Sequence, residues 1–468
     1  MTSARTPTTG ALEPSVGERA LALADRALDI ASARAASGGV RSVDVEVTSR
    51  TGASALTRFA NSFVHQNVAE DLGGVRLRLA IDGRVAAASL DGPTDDEALR
   101  RLADDALDAA RVRPVDPDWP GLGGPSAVPV VDHWDDSTAA AEPRARAERV
   151  RDVVDAASGL ETAGYCSTAA TGVAYANSSG RRLAGRATVA LAHGIARTAT
   201  SDGSARTGSV ALAAIDGVEV GRIAASRART SQEPVDLEPG RYEVVLERDA
   251  VVDLLHFLFV YGFNGRAVEE GRSFVRLGER QLDAAIDIRD DATDPRQVGV
   301  AFDAEGTSKR PVRVVRDGVS AAVLHTRRTA AKARTESTGN AVAGAESWGA
   351  LPENVILREG DRPTDELIGS VGRGLLVTDF WYTRILDPRT MVVTGLTRNG
   401  VWLIEGGRIV RPVRNLRFTQ SYAAALAPGN VLGVGREQAL VPGSWDLGAS
   451  IVSPLHLASW NFTGGARG

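Results

Sequence analysis

The sequence predicts an α+β protein, with helices and antiparallel sheets in its N-terminal part and a strand-rich C-terminal part. Three observations lead there. Apolar residues fall at helical spacing over 18–36, 94–112 and 143–157. Elsewhere apolar and polar residues alternate between turn pairs such as Asp82-Gly83 and Gly406-Gly407. The 49 glycines among 468 residues call for many hairpin turns. Length alone suits about three domains, or two larger ones. We expect a tail over 1–17, an N-terminal α+β domain over 18–235 with a sub-boundary near 114–142, and a C-terminal β-rich domain over 236–468.

The elements follow in order. Residues 1 to 17 are polar and rich in Pro, Ser and Thr, and read as a frayed cytoplasmic N-terminus without a leader. ERALALADRALDIASARAA is a first helix, stopped by Gly38-Gly39. Val43, Val45 and Val47 alternate as a strand, Thr51-Gly52 reads as a turn, and Val75, Leu77, Leu79 and Ile81 alternate again before Asp82-Gly83, giving a half-buried antiparallel sheet. Thr94 to Glu97 reads as a capping box opening a helix to about Val112. Pro114 to Pro129 is a linker, and a third helix starts with Pro143 at an N1-like position. A hairpin-rich stretch with turns at Ser178-Ser179-Gly180 and Asp216-Gly217 runs to about Arg229. Beyond Gly240, strands are expected at 242–246, 310–315, 375–377, 391–397, 401–404 and 408–410, with hairpin turns at Asn399-Gly400 and Gly406-Gly407.

Composition excludes several functions. With 54 basic and 59 acidic side chains the formal charge is −5, which offers no field for a phosphate backbone. Of the basic residues only Lys309 and Lys332 are lysine, so arginine clusters reflect a compositional bias. The single cysteine, Cys166, rules out an internal disulfide or a zinc ribbon and suits a reducing cytosol. Its neighbours mark it as packing within a strand.

One segment stands out. From Val251 to Phe263 the chain is apolar except at Asp253, His256 and Gly262. This run is too short for a bilayer, which needs about twenty residues, and it reads as a buried helix that Gly262 and Gly265 would loosen or end. His256 is either a core histidine or a metal ligand; Phe257 and the apolar residues after it supply neither a base nor a second imidazole on that face, which favours the core. The other histidines, His65, His133, His193, His325 and His456, are scattered and form no local motif. No G-x-S-x-G elbow and no Walker sequence occurs. Asp303 and Glu305, in FDAEGT, offer two carboxylates for acid/base work or, as the favoured reading, a solvated strand-to-loop turn.

Three passages together resemble the TldD/PmbA family, historically called modulators of DNA gyrase and grouped with metallopeptidases. They are TRFANSFVHQNV from Thr57 with Gly74-Val75-Arg76, FDAEGTSKRPVRVVRDGV from Phe302, and TRNGVWLIEGGRIVRPVRNLRFTQS from Thr397. The resemblance spans about residues 40 to 468 and implies a two-domain fold whose C-terminal domain is metallopeptidase-like. TldD-like members carry H-E-x-x-x-H and a later cysteine as metal ligands; PmbA/TldE-like members lack them and pair with a TldD-like subunit. On this chain His256 matches the first histidine, Phe257 the glutamate and Tyr261 the second histidine. GREQALVP, where the late cysteine is expected, has none, and GFNGRAVEEG, PGSWDLG and NFTGG look like the PmbA/TldE arm.

The resemblance therefore implies a non-catalytic subunit in the cytoplasm, with no catalytic or metal-ligating residue of its own and zinc in a TldD-like partner. Its other expected contact is a peptide, with neither nucleic acid nor membrane involved. Arg266, Arg384, Asn415 and Arg417 are conceivable peptide contacts or, equally, surface and structural residues. The alternatives are an autonomous hydrolase whose site the sequence does not advertise, and a regulator of DNA gyrase acting by binding.

Overall fold

The computed structural model describes residues 14–40, 42–443 and 448–465. Residues 1–13 of the expected tail and 444–447 of PGSWDLG lie outside them. Helix α1 (Val16–Ser37) starts on a capping box: Ser15 accepts from the Glu18 amide while Glu18 accepts from the Ser15 amide. It ends at Gly38, as the glycine pair predicts.

The first sheet runs in the order β3-β2-β1-β4-β5-β6, antiparallel throughout. Its strands are β1 (Val43–Ala60), β2 (Phe63–Ile81), β3 (Arg84–Asp91), β4 (Glu161–Asn177), β5 (Arg182–Arg197) and β6 (Asp202–Ser209). Alternation places Val45, Val47, Leu77 and Leu79 on one face, where they pack under α1 and α2 (Asp96–Val112). At the other end of that face α3 (Asp136–Ala139), α4 (Pro143–Ala156) and α5 (Gly217–Thr230) adjoin a second core around Phe59, Cys166 and Ala192.

Three expectations in this region are corrected. Thr51-Gly52 is not a turn: β1 continues unbroken, Gly52 adopts φ +139° inside the strand, and the chain reverses at Asn61 and Ser62, both at positive φ. Asp95, not Thr94, caps α2, because its carboxylate reaches the Ala98 amide. Asp216 is likewise a helix cap and not a hairpin residue, since Val220, Ala224, Ala225 and Ala228 recur at helical spacing and bury α5.

After Gly240 the chain enters β7 (Gly240–Leu246) and then α6 (Arg248–Phe257), which passes into a wide turn over Leu258–Gly262 and a short α7 (Gly265–Glu269). Strands β8 (Ile288–Asp290), β9 (Val312–Arg316) and β10 (Val319–Ser320) precede α8 (Arg327–Ala333) and β11 (Asn354–Leu357). Next come α9 (Thr364–Gly369), β12 (Arg373–Asp387), β13 (Val392–Glu405), β14 (Arg408–Pro412) and β15 (Leu416–Ser421). The chain finishes with α10 (Tyr422–Ala425), β16 (Val431–Val434), β17 (Ala439–Pro442), β18 (Ala449–Val452) and β19 (Leu455–Gly465).

These strands make two further sheets. One is ordered β10-β9-β8-β11-β18-β17. In the other, β12-β7-β19-β15-β13 closes on itself because β13 pairs back with β12. Closure leaves those strands without long open edges. Asn399-Gly400 is not a hairpin turn: β13 continues past it through a register shift against β12, with Asn399 at φ +59° and Gly400 at φ +133°, where a Cβ would lie 2.2 Å from the Trp402 ring. Gly406-Gly407 is the turn expected. The main core packs α6 and the wide turn against this closed sheet, with Phe257, Phe380, Phe418, Tyr422 and Trp460 in one cluster.

Candidate functional site

Helix α6 and its continuation carry the positions that the resemblance assigns to metal and base. His256 is 6% exposed, and burial pushes its imidazole down to about 4. Phe257 stacks on Tyr261 at 5.7 Å between centroids and meets Tyr422 edge-on at 5.8 Å, while Tyr261 meets Trp348 edge-on at 6.4 Å. One turn earlier, Asp253 accepts hydrogen bonds from Thr383 Oγ1 at 2.8 Å and from the Tyr422 hydroxyl at 2.9 Å. Burial raises its carboxyl to about 6 against those two bonds. Asp249 pairs with Arg206 of β6, and burial beside Asp249 holds Asp379 of β12 above the usual carboxylate range.

A catalytic zinc site needs three protein donors and an open position. Of the positions matched to the family ligands and base, one holds an imidazole and two hold rings stacked on each other. Among the described residues no group of three or more His, Cys, Asp or Glu is placed to hold a metal ion. The donor set does not fit zinc.

The remaining histidines each serve a separate place. His65 is exposed on β2. His133 sits between the carbonyls of Gly299 and Asp294 at 3.0 and 3.1 Å. His193 meets Ser204 Oγ at 2.8 Å, His325 meets Thr329 Oγ1 at 3.1 Å, and His456 meets Glu243 at 2.6 Å. Burial holds His193 and His325 below the usual range. Cys166 is buried, and burial pushes its thiol up to about 11, so it is no nucleophile at neutral pH.

FDAEGT is not a solvated turn. Asp303 is 3% and Glu305 7% exposed, because the segment folds against the first sheet. Asp303 accepts the amides of Glu305, Thr307 and Ala341 at 2.9, 2.8 and 2.9 Å. Glu305 meets Arg78 at 3.0 Å and Arg327 at 3.5 Å, and Arg327 meets Glu46 at 2.6 Å. Arg78 also pairs with Glu46, which closes a ring of two carboxylates and two guanidiniums. The Tyr175 hydroxyl donates to Glu46 at 2.8 Å, and Trp119 lies under Arg78 at 5.1 Å. Gly306, at φ +67°, leaves room for Tyr175, whose ring a Cβ would approach to 2.4 Å.

Two cavities flank this ring, of about 340 and 590 Å³, sharing Thr48, Arg76, Ala304 and Ala341–Ala343 as a common wall. The larger runs across small side chains of β4 and β5, such as Ala169, Thr171 and Ala187, to Lys309, which bonds Glu353 at 2.7 Å. Sequence reasoning missed Glu46, Arg78, Arg327 and Tyr175. The available signal was the direct pairing of Glu46 with Arg78 across the first hairpin.

The conceivable peptide contacts are dispersed over three elements. Arg266, on α7, binds Glu270 and the Glu346 carbonyl. Arg384, on β12, lies over the Tyr382 ring at 4.5 Å. Asn415 and Arg417 are exposed at β15.

Residues 239–462 match the PmbA/TldA metallopeptidase C-terminal domain. That stretch, the C-terminal half of the chain, is a TldD/PmbA-family domain. The chain is 24% identical over 201 residues to a metalloprotease of Methanothermobacter thermautotrophicus, in an alignment covering 42% of this chain. That alignment takes in 43% of the curated relative, less than half its length. Three solved structures share the fold. TldE from Thermococcus kodakarensis superposes with TM-score 0.81 at 17% identity, over 92% of this chain and 98% of that one. A protein described as a modulator of a DNA gyrase from Thermotoga maritima gives 0.80 at 18% identity, over 94% and 100%. One so described from Bacteroides thetaiotaomicron gives 0.78 at 19%, over 95% and 98%. At these identities the likeness speaks for the fold.

Proposed function

We propose that this TldD/PmbA-family protein is a non-catalytic, TldE/PmbA-like subunit that pairs with a zinc-bearing TldD-like subunit in the proteolysis of unfolded or modified peptides. One observation carries the reading: the residues at the base and second-ligand positions, Phe257 and Tyr261, form an aromatic stack. Zinc hydrolysis needs a metal-bound water and a base to take its proton, and a buried imidazole beside a phenyl ring supplies neither. The pairing would take place in the cytoplasm; no helix among the described residues is long and apolar enough to cross a membrane. A peptide held by this subunit would lie in the cavities between the first sheet and FDAEGT.

The test is to purify the chain alone and with a TldD-like partner, then measure bound zinc and peptide cleavage. Zinc and cleavage are expected in the pair only. Stoichiometric zinc with cleavage by the isolated chain would overturn the reading in favour of an autonomous hydrolase. Salt-sensitive duplex binding at physiological ionic strength would instead favour a role on DNA.

A further inference from the structure

In the closed sheet Phe380, Gly395, Thr397 and Phe418 are buried, so the residues alternating with them turn outward. Trp381, Leu396 and Arg417 stand in register across β12, β13 and β15, and Arg384, Thr394 and Thr419 do so beside them. Arg384 and Arg417, on separate strands, thus come to one face. Trp381 is 52% and Tyr382 66% exposed, and Arg384, Arg398 and Arg417 are exposed with them. Arg398 lies over the Trp381 ring at 4.1 Å, and Arg384 over the Tyr382 ring at 4.5 Å. Among the described residues none of these three guanidiniums forms an ion pair, whereas Arg373 in β12 and Arg414 just before β15 pair with Glu405 and Asp236. The acid opposite Arg398, Asp379, is part-buried and accepts from Asn399 Nδ2 at 3.3 Å.

The backbone is strained where it presents this patch. Tyr382 takes φ +54° inside β12, at the register shift between Trp381 and Arg384. A bulky residue there is a rare and costly conformation, and an exposed ring gains no burial to offset it. The bulge sets the rings of Trp381 and Tyr382 outward in succession, while Thr383 reaches inward to Asp253 of α6 at 2.8 Å. We propose that this face binds acidic stretches of a peptide, with Arg384, Arg398 and Arg417 taking carboxylates and Trp381, Tyr382 and Leu396 an apolar side chain among them. A guanidinium lying on a ring keeps its N–H edge for a carboxylate, which it meets with two parallel bonds. Single-stranded nucleic acid would instead stack its bases on open rings along a basic track. Here each ring already lies under a guanidinium, and the chain's charge of −5 opposes a polyanion. The proposal rests on the reading of this chain as a peptide-handling subunit and names the class of peptide.

The test is fluorescence anisotropy on the full chain alone, with a labelled short peptide of repeating Glu-Leu-Ser beside Gln-Leu-Ser and Lys-Leu-Ser counterparts. The glutamate peptide is expected to bind about tenfold more tightly than the glutamine one, as a few exposed charge pairs allow, and the lysine peptide not to bind. Arg384→Glu combined with Arg398→Glu is expected to reverse that order in favour of lysine, with an unchanged melting temperature showing that the fold is intact. Tyr382→Gly is expected to weaken binding while raising the melting temperature, a combination that a purely structural tyrosine would not give. Equal binding of the glutamate and glutamine peptides would overturn the proposal, as would an unaltered preference in the double arginine variant or wild-type binding by Tyr382→Gly. A labelled single-stranded oligonucleotide that binds more tightly than the glutamate peptide, and is lost in the same variants, would overturn it in favour of nucleic acid. The two readings fail separately. Zinc-dependent cleavage by the mixed pair, with this chain binding glutamate and glutamine peptides alike, would overturn the acidic preference and leave the pairing. Selective binding of the glutamate peptide here, without cleavage by the pair, would do the reverse.

Discussion

Glu46 of the first sheet and Glu305 of the FDAEGT loop share the same two guanidiniums, those of Arg78 and Arg327. None of the four side chains is more than 13% exposed. Two charges of each sign in a nearly dry site stabilise each other while the ring is complete; removing one leaves its partners desolvated and unpaired. Glu305→Gln is therefore expected to destabilise the protein by about 3 kcal/mol, as is Glu46→Gln. Urea unfolding checks this, with the midpoint falling in both variants.

Gly306→Ala combines two faults. The left-handed backbone at φ +67° strains an L side chain, and the new methyl meets the fully buried Tyr175 ring. Strain of this kind costs about 1–3 kcal/mol before any clash is counted. Thermal unfolding should show a clear drop, whereas Gly464→Ala, with no heavy atom within 4 Å of its Cβ, should be nearly neutral.

Phe257→Ala removes a ring that touches both Tyr261 and Tyr422. A loss of about 3–5 kcal/mol is expected for truncating a buried phenylalanine. Phe257→Leu should recover most of it, because the position needs bulk and no donor. Denaturant titration of the two variants separates these outcomes.

His256 makes stability depend on pH in a defined direction. Its folded pKa is about 4 against 6.5 for the free side chain. Between those values the unfolded chain binds the proton and the folded chain does not, so stability rises with pH. The contribution, about 3 kcal/mol, is intact above pH 6.5 and is lost as pH falls toward 4. Asp253, raised to about 6, acts oppositely as its carboxyl protonates. His256→Leu should flatten the pH dependence, measured as the difference in unfolding midpoint between pH 7 and pH 5 relative to wild type.

What was legible in the sequence followed from local physics. Alternation at Val43–Val47 and Val75–Ile81, the stop at Gly38 and the proline at the start of α4 all act within a few residues, and the structure has them where expected. The failures came from partners far along the chain. Thr51-Gly52 and Asn399-Gly400 carry turn residues, yet long neighbouring strands carry the chain on through both, at Asn399 with a left-handed backbone and a register shift. Glu46 and Arg78 fall on the polar face of an alternating pattern, which normally faces water. That face is covered by Glu305 and Arg327, whose arrival nothing in the first hundred residues announces. Phe257 and Tyr261 are a different case: they are informative only beside the motif of the family that the chain resembles.

The wide turn at Leu258–Gly262 sets the spacing of the residues on either side of it. Its backbone closes with Phe263 N donating to Leu258 O, five residues back, where an α-helix would reach four. A spacing of five, the step from His256 to Tyr261, falls off the shared face of a uniform α-helix, on which neighbours lie three or four apart. This winding accommodates it. Phe257 and Tyr261, stacked across this wide turn, therefore hold in place by aromatic packing a winding that a uniform α-helix would not have.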